Sequence, residues 1–222
     1  MAKTSESVPV SQLPLSRERI LRAALRLADE GGVEALSMRK LAQALGVKAM
    51  SLYNHVANKD DILDGIVDEV VGEIAIPALG ADWKAAMRRR AISAHGVLRR
   101  HPWATIALVS RVNVGPAMLR YVNATLGCLV EAGFSYTMAD HAWNAIDNHI
   151  YGFTLQALNF PFEAHEYAEQ AANFVAQIPA AQYPYLNRLT HQVMAGEYTG
   201  IHDFEFGLEL ILDGLDRLRS DR

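Results

Sequence analysis

Residues 46–63 read GVKAMSLYNHVANKDDIL and place an ammonium (Lys48), two hydroxyls (Ser51 and Tyr53) and an imidazole (His55) within about two helical turns, just after an Arg39–Lys40 pair. All are hydrogen-bond donors, and their chemistry suits an anionic partner. On a helix that packs Leu52 and Val56 inward, Lys48 and Ser51 can bond to bases or backbone, and Ala49 and Met50 can meet an apolar group such as a thymine methyl. Tyr53 and His55 are better placed as phosphate donors, and Lys59, beside the positive N-terminal end of the next helix, adds a further phosphate site. Double-stranded DNA is the partner these groups imply.

The elements that must position them follow from capping and periodicity. Ser16 caps a first helix whose Ile20, Ala24, Leu27 and Ala28 share one face and which Gly31 and Gly32 should end. Arg19, Arg22 and Arg26 line another face, either solvated or turned to phosphates. Ser37 caps a second, short helix with Leu41, Ala42 and Leu45 inward and Gly46 as its stop. Ala42 is small where another helix must approach, Gly46 can take a positive φ four residues later, and Leu52 anchors the following helix: helix-turn-helix spacing. That third helix is expected over about 48–55. Asn58, with Asp61 three residues on, starts a fourth that should run to about Ile74. Pro77 and Gly80 then mark a boundary, dividing residues 16–75 from a larger unit at 81–222 in which helical periodicity continues without two-residue alternation. The fold class is all-α, and residues 1–15 read as a flexible tail.

Composition agrees with a DNA-binding head on an acidic body. The chain of 222 residues has a net charge of −4, yet residues 1–60 hold nine Lys/Arg against six Asp/Glu. Screening confines fields to about 10 Å at 0.1 M salt, so a locally basic module can still attract phosphates. The single cysteine, Cys128, excludes an intrachain disulfide and suits a reduced, cytoplasmic setting. No run approaches the length of a membrane span.

Signatures of catalysis are thin. SMRK at 37–40 matches Ser-x-x-Lys in form, but its companion motifs are absent and it falls inside the helix-turn-helix. No phosphate-binding glycine loop, G-x-S-x-G or H-E-x-x-H occurs, and His141 and His149 stand about two turns apart, too far to chelate as adjacent ligands. Neither an enzymatic activity nor a metal or cofactor is expected.

The stretch ALSMRKLAQALGVKAMSLYNHVANKDDILDGI resembles the DNA-binding domain of the tetracycline-repressor family, most recognisably in LYNHV followed by NKDDIL. The resemblance is strong over residues 16–68 and fainter over 83–160, in LVEAGFS and HIYGFTLQAL. It implies a dimeric transcription regulator, usually a repressor, whose C-terminal domain binds a small molecule that releases DNA. Carried over by motif position, Met38 and Arg39 join Lys48, Ala49, Met50, Ser51, Tyr53, His55 and Lys59 as DNA contacts. The histidine and polar set that would hold a tetracycline with magnesium is missing around SRVNVG, so a drug-specific role is not carried over.

Two long apolar stripes lie in the C-terminal unit: Trp143, Ile146, Ile150, Phe153, Ala157 and Phe160, then Phe204, Leu208, Ile211, Leu215 and Leu218. Periodicity alone fits a core face or a subunit interface. The resemblance favours a four-helix dimer seam built from Ile146, Ile150, Phe153, Ala157 and the second stripe, with Gly207 and Gly214 allowing close approach. An effector pocket needs apolar walls with a few polar groups, and the candidates are Trp103, Met118, Tyr121, Thr125, Trp143 and Asp147. The same composition also fits a helical ligand-binding or protein-interaction module with a vestigial helix-turn-helix. Steep salt dependence of operator binding would distinguish a regulator from it.

Overall fold

The computed structural model describes residues 14–162, 166–198 and 203–220, and among these residues there is no β-strand. Residues 1–13 of the expected tail lie outside them. The first helix, α1 (Arg17–Ala35), begins where the Ser16 hydroxyl accepts from the Arg19 amide at 3.2 Å. Its regular geometry ends at Gly31 and Gly32, as expected, since both have non-helical φ/ψ. The chain kinks there, with Gly32 at φ 73°, and resumes a helical turn to Ala35. Ser37 caps α2 (Met38–Leu45) on the Lys40 amide, and Leu41, Ala42 and Leu45 are buried. Gly46, at φ 67°, provides the left-handed residue that reverses the chain, and the Val47 amide bonds back to the Ala42 carbonyl at 3.0 Å.

The third helix, α3 (Ala49–Leu52), is shorter than its sequence pattern suggested. At its ends the bonds are of the tighter i→i+3 kind, Ser51 to Lys48 and His55 to Leu52, so residues 53–55 form a turn rather than continued helix. Leu52 and Val56 still pack inward. In α4 (Lys59–Gly72) the Asn58 side chain accepts from the Asp61 amide at 2.9 Å while the Asp61 carboxylate accepts from the Ala57 amide at 2.8 Å, a reciprocal cap. Arg17 grips the same carboxylate through two bonds of 2.9 and 2.6 Å, fastening the start of α1 to the start of α4. The fourth helix ends two residues before the expected Ile74, whose amide closes a last turn on Val71.

After a non-helical stretch over 73–82 come α5 (Trp83–Arg100), α6 (Pro102–Ser110), α7 (Pro116–Glu131), α8 (Tyr136–Asn159), α9 (Tyr167–Phe174), α10 (Pro184–Met194) and α11 (Phe204–Ser220). In the body α5 packs against α8 and α11, α8 also against α7, and α4 lies along α7. The short helices α9 and α10 pack chiefly on each other. No helix of the described residues is long and apolar enough to cross a membrane.

Five of the nine residues expected at a dimer seam are part of the body's own core. Ile146, Ile150 and Leu208 are 0 % exposed within one protomer, and Phe204 and Leu215 are nearly so, which leaves them no surface to offer a second copy. Their periodicity was satisfied by α5 instead. Gly207 serves the same packing: a methyl added there would run into the His149 ring of α8. Of the residues expected at the seam, Phe153 and Ile211 remain half-buried, and Ala157 and Leu218 are exposed.

The Asp61 cap gives a test of how α4 is started. Arg17 first, then the Ala57 amide, hold the Asp61 pKa below its ordinary value. The stabilisation is therefore present above the unfolded-state pKa of about 4 and disappears as pH falls through the depressed folded-state value. Asp61→Ala is expected to lose about 1 kcal/mol in urea unfolding at pH 7. The gap from the parent should close as the pH is taken down towards 2.

Candidate functional site

The exposed edge of the helix-turn-helix is assembled from loop and helix residues that α2 and α4 hold from either side. Lys48 precedes α3 without a side-chain cap and is exposed, and Met50 is 75 % exposed, an apolar side chain that no packing in the protomer explains. Ala49 and Ser51 are half-buried behind it. Tyr53 and His55 project from the following turn into solvent, and Arg39 does so from the first turn of α2 beside a half-buried Met38. Lys59 is half-buried because its ammonium donates to the Val33 carbonyl at 3.1 Å, which leaves two of its three protons for another acceptor. Of the nine expected contacts, Arg39, Lys48, Met50, Tyr53 and His55 are thus exposed and Met38, Ala49, Ser51 and Lys59 half-buried, so none is taken up by the core. The neighbouring arginines of α1 are partly engaged: Arg17 with Asp61 and Arg22 with Glu18.

Between this edge and the body runs a series of polar ties. Asp68 of α4 accepts from two amides at the start of α7, Ala117 at 3.1 Å and Met118 at 2.9 Å, so one helix supplies the N-terminal cap of another. Arg111, just past α6, reaches Asp64 at 2.9 Å and Asp60 at 3.2 Å on the same helix. On the other side, Asp29 of α1 accepts from the Trp103 indole at 2.8 Å and sits 2.7 Å from His101 Nδ1, whose Nε2 is 3.3 Å from Glu73. Each half of the α4 helix is therefore tied to the body by charge.

Inside the body the expected pocket residues divide. Tyr121, Trp143 and Asp147 come together around a residue that the sequence pattern had not singled out, Arg90 of α5. The Arg90 guanidinium is fully buried, pairs through Nη2 with Asp147 Oδ1, and lies with Cζ 4.7 Å from the centroid of the Tyr121 ring. Asp147 Oδ2 accepts from the Trp143 indole at 2.7 Å and from the Tyr151 hydroxyl at 3.2 Å. Burial opposes the charge on Arg90, but Tyr121 and Asp147 outweigh it and raise its pKa above the ordinary value. Burial likewise pushes the Tyr121 and Tyr151 hydroxyls up, so both stay neutral. Thr125 is satisfied on its own helix, donating to the Tyr121 carbonyl at 2.8 Å. The indole N–H of Trp103 is taken up by Asp29, and Met118 stands at the start of α7 beside Asp68, so these two belong to the junction with α1 and α4. A signal for Arg90 did exist: it falls in phase with Ala86, Ala94 and Val97 on the buried face of α5, where a charge interrupts an apolar stripe.

Comparison with known proteins follows the same division of the chain. The family model described as bacterial regulatory proteins, tetR family, matches residues 20–66, and that described as tetracyclin repressor-like, C-terminal domain, matches residues 76–219. The transcriptional repressor DrrR1 of Streptomyces coeruleorubidus is 31 % identical over 219 residues, which is 94 % of this chain and 80 % of that protein. The class D tetracycline repressor of Escherichia coli is 32 % identical over 208 residues, 91 % of this chain and 89 % of that one. Among solved structures, the Streptomyces coelicolor protein ActR in complex with actinorhodin superposes with a TM-score of 0.78 at 29 % identity, covering 93 % of this chain and 99 % of the other. With both units matched and relatives aligned along nearly its whole length, the chain belongs to the tetracycline-repressor family and is a ligand-responsive, DNA-binding transcription regulator of the repressor type.

Proposed function

We propose that residues 16–75 read an operator through α3 and its flanking turns, that residues 81–222 pair two copies and hold a small effector, and that α4 carries the message between them. The observation that carries this reading is the set of ties from α4 to the start of α7 and the end of α6. A change in how the body packs must move α4, and α4 begins at the DNA-facing edge. In a two-fold dimer the two α3 helices must sit about 34–36 Å apart to enter successive major grooves on one face of the duplex. An effector held near Tyr121, Trp143 and Asp147 that favours another setting of α4 lowers operator affinity, and linkage requires the operator to weaken the effector by the same factor. The complex of ActR with actinorhodin supports a body that accepts a small molecule.

The pairing surface is the outward side of α8 and α11 rather than their buried stripes. Phe206, Leu210 and Leu218 of α11 are each more than half exposed, and an open cleft of about 670 Å³ lined by His149, Phe153, Gln156 and Phe206 runs between the two helices. An apolar helix face of this kind is the usual material of a self-complementary seam.

Three outcomes follow. Lys59→Ala should weaken binding to all DNA sequences alike and flatten the dependence of log K on log salt by about 1.8, one phosphate contact being lost from each copy, whereas Met50→Ala should change base preference, both read by binding titrations at several salt concentrations. Leu210→Glu with Leu218→Glu should yield a folded monomer in light scattering, because four charges would enter one two-fold seam. Leu208→Glu alone should unfold the protomer, since it buries a charge in the core. Asp68→Ala should leave operator affinity within about threefold of the parent while reducing the effector response, since it frees α4 from α7 and costs about 1 kcal/mol of stability as a lost cap. An effector response undiminished in Asp68→Ala would remove α4 from the route.

A further inference from the structure

Lys59 stands where a lysine is out of place. It is the first residue of α4, at the end of the helix whose partial charge is positive and which favours anionic side chains. The carboxylates next to it have other partners, because Arg111 takes Asp60 and Arg17 takes Asp61. The ammonium of Lys59 donates instead to a neutral group, the Val33 carbonyl at 3.1 Å, in the last turn of α1. Carbonyls at a helix C-terminus carry the opposite partial charge and hold a cation without cancelling it. Among the described residues Lys59 is thus fixed in place without being ion-paired, and it faces an anion outside the protein on those terms.

The Val33 carbonyl is available because the chain has just turned. Were α1 regular to its end, that carbonyl would accept from the amide four residues on. It accepts instead from Leu36, three residues on, at 3.3 Å, and its second lone pair takes Lys59. The turn runs through Gly31 and Gly32, and Gly32 sits at φ 73° and ψ 170°, a combination essentially restricted to glycine. The requirement is conformational rather than steric, since a methyl added at residue 32 would meet the far end of the flexible Glu34 side chain. Nor is the tie needed to fasten α1 to α4. Arg17 already grips Asp61, and Ile20, Ile62 and Ile66 are buried between the helices and their neighbours. A lysine held in advance gives up less rotamer freedom on meeting a phosphate than a loose one does.

We infer that Gly32 is a positioning residue for DNA binding: the turn it allows aims the Val33 carbonyl at Lys59, and the carbonyl holds the lysine where it meets a backbone phosphate. The inference rests on the operator-reading head proposed above and adds to it a residue outside the helix-turn-helix.

The test follows the full chain by fluorescence anisotropy on a duplex that the parent selects from random sequence, at several salt concentrations. The slope of log K against log salt counts phosphate contacts, and a merely destabilised fold does not change it. Lys59→Ala should flatten it by about 1.8, one contact per copy, and Gly32→Ala by at least about 0.9 although the lysine is still present. Gly32→Asn, the side chain that best tolerates positive φ, should give a smaller loss in the same direction and guards against a folding defect in the first. The double variant Gly32→Ala with Lys59→Ala should be no flatter than Lys59→Ala alone. Ala23→Gly, which loosens α1 without touching the turn, should keep the parent's slope. Parental slopes in both Gly32 variants, further flattening in the double variant, or loss of the helical circular dichroism signal in both Gly32 variants would overturn the inference. If Lys59→Ala flattens the slope while the Gly32 variants do not, the operator reading stands and only the positioning is lost. An unchanged slope in Lys59→Ala removes the lysine from the phosphates and takes both with it.

Discussion

The capping of α7 by Asp68 is the contact on which the architecture turns. An N-terminal helix end exposes amides that need acceptors, and here the acceptor belongs to the helix that also starts at the DNA-facing edge. Satisfying the end of one element thereby fixes the position of another. Arg111 adds ties to Asp64 and Asp60 nearer the start of α4, and the Asp29, His101, Glu73 and Trp103 cluster closes the far side. The N-terminal unit is thus held by directional bonds as well as by apolar packing. Bonds with defined partners can be remade in an alternative arrangement, which suits the two settings of α4 proposed above.

The body shows a second charge-based constraint, of a different kind. Surface ion pairs such as Arg22 with Glu18 contribute little. Arg90 with Asp147 sits where water cannot help, and removing one partner alone would strand the other. The apolar ring of α5, α7, α8 and α11 therefore encloses a polar centre whose geometry is set by Trp143 and Tyr151.

Much of the N-terminal unit was legible in the sequence because its signals are local. Ser16, Ser37 and Asn58 cap helices where their types and spacing said they would, Gly46 takes the positive φ its position required, and Leu52 and Val56 point inward. The length of α3 was overestimated because helical periodicity over eight residues does not distinguish a helix from a helix followed by tight turns. In the C-terminal unit the relevant information is not local. The α8 and α11 stripes have the spacing of a seam, but spacing does not say whether the facing surface belongs to the same chain, and α5 supplied it. Arg90 was passed over for the same reason: among the charges of its neighbourhood, only the phase of its position in α5 marked it as inward, and its partner lies 57 residues away. Trp103 was read as a pocket aromatic, while its indole N–H answers an aspartate in α1 that no window around residue 103 contains.

The place of Asp68 along its helix has a mechanical consequence. A carboxylate that takes two amides from one helix end can rotate against them more readily than it can slide past them, and in the proposed route it serves as the pivot. Nine residues separate Asp68 from Lys59, a lever arm of about 13 Å along α4. A tilt of about ten degrees about that point displaces the far tip by roughly 2 Å, which is enough to take a hydrogen bond of about 2.9 Å out of range. In the proposed route such a swing needs no melting of an element, and it disturbs the ion pairs at the moving tip together with the apolar packing of α4 on α1 and α7.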